Sequence, residues 1–94
     1  MLKIVAKQVV KEECIAEYQK ITAELVEKSN AEEGCIAYEL VQSNDDPKVH
    51  AFIEVWKDQA AHKLHSETEH FVRIVGQIGK LIESEDVLFA KQIH

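Results

Sequence analysis

The apolar residues of this chain change their spacing from two to three-and-four and back, and then do so again. That alternation restricts the fold more than any single motif. Leu2, Ile4 and Ala6 alternate with Val5 and Val9 across the first ten residues, the period of a half-buried strand. From Glu12 the period lengthens. Ile15, Tyr18, Ile21, Thr22, Leu25 and Val26 recur at steps of three and four, with Glu17, Lys20, Glu24, Glu27 and Lys28 between them. This predicts an amphipathic helix ending near Ser29-Asn30, ahead of a turn at Gly34. Cys35 to Gln42 returns to alternation, with Ile36, Tyr38 and Leu40 on one side and Cys35, Ala37 and Val41 on the other.

Ser43-Asn44-Asp45-Asp46-Pro47 is turn chemistry throughout, so a third strand from Val49 to Lys57 forms a hairpin with the second. Asp58 is placed to cap a short helix through Leu64. Ser66-Glu67-Thr68-Glu69 reads as a capping box, opening a second long helix whose stripe runs Phe71, Ile74, Val75, Ile78, Leu81 and Ile82. Val87 to Ile93 is the expected closing strand. The order predicts an α+β, ferredoxin-like split βαβ plan (βαββαβ), with both helices on one face of an antiparallel sheet. Ninety-four residues fit one such domain, residues 1–94, and not two.

The third strand points beyond a single chain. Val49, Ala51, Ile53 and Val55 lie on one side, and His50, Phe52 and Trp56 on the other. Helices cover only one of these faces, so the other, expected to be that of Phe52 and Trp56, is predicted to bury itself against a second copy in a homodimer.

Charge removes whole classes of function. The net charge is −6, ten Lys are interleaved with 17 acidic residues, and Arg73 is the only arginine. A nucleic-acid backbone needs a concentrated cationic face, so nucleic acid is not an expected partner. Cys14 and Cys35 form no CxxC pair, which removes the dithiol redox and iron–sulfur readings and leaves two reduced thiols. No apolar run is long enough for a membrane span or a signal-peptide core, so no membrane partner and a cytoplasmic location are expected.

Chemistry concentrates in two places. His62, His65 and His70 fall within nine residues. Their spacing matches no metal motif, and no metal or other cofactor is predicted from it. As acid–base groups, His65 and His70 flank the start of the second long helix, where the macrodipole favours the neutral imidazole; either is a candidate general base. The second place is strand three, where Glu54 shares a face with Phe52 and Trp56. A carboxylate among aromatics is paired with a Lys or has a raised pKa, and Tyr38 brings a phenol to the same region.

Glu33-Gly34-Cys35-Ile36-Ala37-Tyr38-Glu39-Leu40, Phe52-Ile53-Glu54-Val55-Trp56-Lys57-Asp58 and His65-Ser66-Glu67-Thr68-Glu69-His70-Phe71 together resemble the antibiotic biosynthesis monooxygenase domain, over essentially the whole chain. The Glu-x-Trp strand followed by His-x4-His-Phe is the most specific part. The resemblance implies a dimeric α+β barrel with a pocket between sheet and helices. It implies cofactor-independent oxygenation of a small phenolic or quinol substrate by O₂. His70 and His65 match the motif histidines and are the catalytic candidates; Glu54, Trp56, Tyr38, Phe52 and Phe71 are the substrate-binding candidates. In haem-degrading relatives an Asn, a Trp and a ligating His are required where this chain has Lys7, His65 and Val75, which argues against haem. Two alternatives share the scaffold: an isomerase or degradation enzyme for phosphorylated autoinducer-2, and a non-catalytic small-molecule-binding dimer.

Overall fold

Strand β1 (Leu2–Val10) pairs with β3 (Val49–Trp56) on one side and with β4 (Ile82–Ala90) on the other, and β2 (Cys35–Gln42) adds to the outer edge of β3. The resulting antiparallel sheet has the order β2-β3-β1-β4. These are the features of a computed structural model that describes residues 1–94. A 3₁₀ turn at Glu12–Cys14 leads into α1 (Ile15–Asn30); α2 (Gln59–Ser66) and α3 (Glu69–Ile78) connect β3 to β4. The expected βαββαβ order is present, with the short helix added to the second crossover.

The helices cover the sheet face that carries Ile4, Ala6, Gln8 and Val10 of β1 and His50, Phe52, Glu54 and Trp56 of β3. Tyr18 and Leu25 of α1 and Ile74 and Ile78 of α3 close over it to form the core. This reverses one expectation. Phe52 and Trp56 are buried within the single chain, at 4% and 0% exposure. The uncovered face is that of Val5, Ala51, Ile53 and Val55. The face of Val49, Ala51, Ile53 and Val55 is the more uniformly apolar, yet the helices take the face of Phe52 and Trp56, whose aromatic rings and hydrogen-bonded Glu54 fill the core, so alternation alone does not say which side is covered.

Two boundaries also differ from the sequence reading. The cap of α3 is Thr68, whose hydroxyl accepts from Phe71 N at 3.3 Å; Ser66 is instead the last residue of α2 and donates to Lys63 O at 2.7 Å. The last turn of α2 continues through the expected box position, so the hydroxyl nearest the new helix becomes the cap. At the other end α3 stops at Ile78, with Gly79 as its C-cap. The apolar stripe runs on into Leu81 and Ile82, but Ile82 already pairs with Val10. Its polar neighbours Glu83 to Asp86 disguise a strand that pairing with β1 holds in place. Asp58 does cap α2, accepting from Ala61 N at 2.9 Å.

The turn between α1 and β2 is drawn against α2. Gly34 lies so close to Ala61 that a Cβ at position 34 would collide with the Ala61 methyl, and Gly34 O accepts from Lys57 N at 2.9 Å. Glycine is required there for the close approach. That contact brings Glu32, two residues earlier, to the histidines of α2 and α3.

Candidate active site

Between the covered sheet face and helices α2 and α3 lies a cavity of about 200 Å³, the space of roughly seven waters. Ile4, Ala6, Gln8, Phe52 and Glu54 form its floor; Tyr38, Glu85, Val87 and Phe89 come from the flanking strands; His62, Phe71 and Val75 close the helix side. No Lys or Arg stands on its wall. Wider depressions along the chain ends and beside α1 and α2 are open to solvent; the small cavity is the one that gathers buried acid–base groups among aromatic rings.

Glu54 reaches this cavity because strand alternation points it inward, opposite Ile4 of β1 and Tyr38 of β2. It is 6% exposed. Trp56 Nε1 donates to its Oε1 at 2.9 Å, and the other carboxylate oxygen makes no hydrogen bond within the protein. Burial pushes the carboxyl up to about 7; the Trp56 hydrogen bond pulls the other way, and the charge of Glu32 adds to the rise. A carboxylate of this kind exchanges a proton near neutral pH, the condition that general-base catalysis favours. No Lys pairs with it. Burial also raises the phenol of Tyr38, with Glu54 adding to the effect, so Tyr38 stays a neutral phenol.

The two histidines flank the start of α3, as the sequence predicts. His65 is in the last turn of α2, and His70 is the second residue of α3. His65 Nδ1 lies 2.7 Å, and His70 Nε2 2.8 Å, from the same oxygen of Glu32, Oε2. The His65 ring packs on Trp56, with centroids 4.4 Å apart, on Phe71 at 4.9 Å and on Tyr38 at 5.4 Å. Its Nε2 is buried without a partner. Burial lowers the pKa of His65 more than the Glu32 carboxylate raises it, so the ring is neutral near pH 7.

Of the residues singled out from sequence, Tyr38, Phe52, Glu54 and Phe71 therefore line the cavity. Trp56 holds Glu54 from beside it. His65 stands one layer behind, against Tyr38 and Phe71, and His70 is joined to it through Glu32.

Three residues were missed, and a fourth, His62, was noticed with the other histidines but given no place in the site. His62 lines the cavity and meets Phe89 edge-on at 5.7 Å. Gln8 donates to Glu85 Oε2 at 2.6 Å and accepts from Tyr18 Oη, forming a polar end to the cavity. A glutamine on the inward side of β1 was a visible signal, since a buried amide demands partners. Glu32 gave no such signal, because its partners are more than thirty residues away.

A four-stranded split-βαβ sheet with a small acidic and aromatic cavity under its helices defines a class of protein, and comparison with known proteins agrees. The sequence profile described as antibiotic biosynthesis monooxygenase matches residues 1–77, and the chain belongs to that family. It is 36% identical over 74 residues to the Bacillus subtilis protein named "Putative monooxygenase YcnE", covering 79% of this chain and 74% of that one. A crystal structure of an antibiotic biosynthesis monooxygenase superposes with a TM-score of 0.95 at 37% identity, over 100% of both chains. PA3566 from Pseudomonas aeruginosa gives 0.92 at 28% identity, over 99% of this chain and 94% of that one.

Proposed function

We propose that this protein is a cofactor-independent monooxygenase of a small, neutral phenol or quinol, working as a homodimer. The observation that carries the reading is Glu54, a buried carboxylate poised near pH 7 on the wall of an apolar cavity that has no cation. A hydroquinone ring would lie against Tyr38, Phe52 and Phe71 in the cavity, and Glu54 would take its hydroxyl proton. The resulting anion is electron-rich enough to give an electron to O₂ directly. For hydroquinone the overall change is C₆H₆O₂ + O₂ → C₆H₄O₃ + H₂O. One oxygen atom enters the ring, the other leaves as water, and the ring supplies all four electrons. The protein's work is to accept a proton, exclude water and hold the two radicals together.

In this reading Trp56 orients the base. His65 and His70 act on the site at one remove, through Glu32, whose charge helps to keep the Glu54 proton on near neutral pH. A phosphorylated sugar-derived substrate is disfavoured by the same wall. It would meet Glu54 and Glu85 and no Lys or Arg, where phosphate recognition calls for cations or converging amides. The dimer is supported by the uncovered face, where Val5, Val41 and Leu88 are exposed beside Ala51, Ile53 and Val55. An exposed apolar patch of this kind marks an association surface.

The test is oxygen uptake by chelator-treated protein with a panel of hydroquinones. Turnover that persists without flavin, haem or added metal is expected. Uptake no faster than autoxidation across the panel, with intact folded protein, removes the reading.

A further inference from the structure

Glu32, His65 and His70 converge from three separate elements: the turn after α1, the last turn of α2 and the first turn of α3. Glu32 Oε2 is 2.7 Å from His65 Nδ1 and 2.8 Å from His70 Nε2, and one donor atom from each residue lies within 4.8 Å of the other two. We propose that these three side chains form a binding site for a divalent transition-metal ion of the zinc type. The site is distinct from the cavity, and an ion bound there reaches the oxygen chemistry only through the charge of Glu32.

Two imidazole nitrogens and one carboxylate oxygen are a donor set that such ions bind, with water completing the shell. Metal–ligand bonds of about 2.0–2.1 Å place neighbouring donors about 3.0–3.4 Å apart. At a tetrahedral ion the two Glu32 contacts must therefore open by about half an ångström, and the two histidine nitrogens, within 4.8 Å of each other, must close by about an ångström or more. Without an ion, the two nitrogens act as hydrogen-bond donors to Glu32. With one, the same nitrogens turn their lone pairs to the metal, and their protons sit on the far ring nitrogens.

The frame is rigid enough to be a site. Trp56 and Phe71 clamp the His65 ring. The Thr68 hydroxyl donates to His65 O at 2.7 Å and accepts from Phe71 N at 3.3 Å, fixing the corner between the two histidines. The Gly34–Ala61 contact holds the turn that carries Glu32. Glu32 and His70 keep 15% and 14% of their side chains exposed, so water and the ion enter from that side. On the inner side, none of the three lines the cavity, and the rings of Tyr38 and Phe71 lie between. The far nitrogen of His65 has no acceptor, and an incomplete outer shell weakens metal sites by about 10–100-fold. Micromolar rather than nanomolar affinity is therefore expected.

Calorimetric titration of the chelator-stripped full chain with Zn²⁺, at about pH 7.5 where the histidines are free to bind, tests this. One ion per chain is expected, together with visible absorption bands when Co²⁺ is the probe. Glu32→Gln and His70→Gln should each weaken binding by about tenfold or more, while His94→Gln at the exposed chain end leaves it unchanged. Circular dichroism checks that the variants fold; Gln at position 32 keeps an acceptor for both rings. Absence of binding by the wild-type chain, or equal binding by folded Glu32→Gln and His70→Gln variants, would overturn the proposal. The titration needs no substrate, so its outcome is separate from that of the oxygenase reading.

Discussion

Replacing Glu54 with Gln removes a buried titratable group while keeping its shape and the oxygen that accepts from Trp56. Burial raises the carboxyl from its ordinary value of 4.5 to about 7. Between those values the folded chain holds a proton that the unfolded chain has already released. Unfolding then releases a proton, and the free energy of unfolding must fall as pH rises. The loss begins near pH 4.5, is complete just above pH 7, and amounts to about 3 kcal/mol at about 1.4 kcal/mol per unit of pH. Glu54→Gln lacks this term. The variant should match wild type near pH 4.5 and exceed it by about 3 kcal/mol at pH 8.

His65 and His62, whose pKa values burial lowers, act with the opposite sign. They contribute stability that is lost as pH falls below their ordinary range, and they do so equally in both proteins. The quantity to measure is therefore the difference between wild type and variant. Urea denaturation at fixed protein concentration in chelator-containing buffer, repeated from pH 5 to 8.5, gives it directly. A difference that does not change with pH would mean that Glu54 is already ionised in the fold, and the proposed base would lose its physical footing.

Three further outcomes follow from the packing. Thr68→Ala should lower stability by about 1 kcal/mol through loss of the α3 cap, and Ser66→Ala by clearly less, as read from urea midpoints. Gly34→Ala should cost about 1–3 kcal/mol in the same assay, because the new methyl has to displace Ala61. Ile53→Asp, on the uncovered face, should convert a species of twice the chain mass to a monomer in sedimentation; an unchanged mass would place the dimer contact elsewhere.

The periodicity was enough to obtain the element order, the hairpin and the antiparallel sheet, because each strand and helix carries its own apolar spacing. It failed where two elements compete for one stretch. Leu81 and Ile82 extend the α3 stripe, yet Ile82 belongs to β4 because the partner strand β1 is available. It failed again on β3, where the helices cover the face that mixes Phe52 and Trp56 with His50 and Glu54 and leave the evenly apolar one open. At the site, Glu54 and Tyr38 were legible as a carboxylate and a phenol in one aromatic region, but the face that carries Glu54 was expected to meet a second copy and not the helices. Glu32 was not, since its partners come from helices far along the chain, and the tertiary contact at Gly34 is what joins them.

Incubation with hydroquinone under heavy-oxygen-labelled dioxygen, followed by mass spectrometry of the product, tests the central claim most directly. A hydroxylated quinone carrying a single labelled atom, formed by the chelator-treated wild-type protein and lost in Glu54→Gln, is the predicted result. A product without label, or one formed equally by the Glu54→Gln protein, would contradict it.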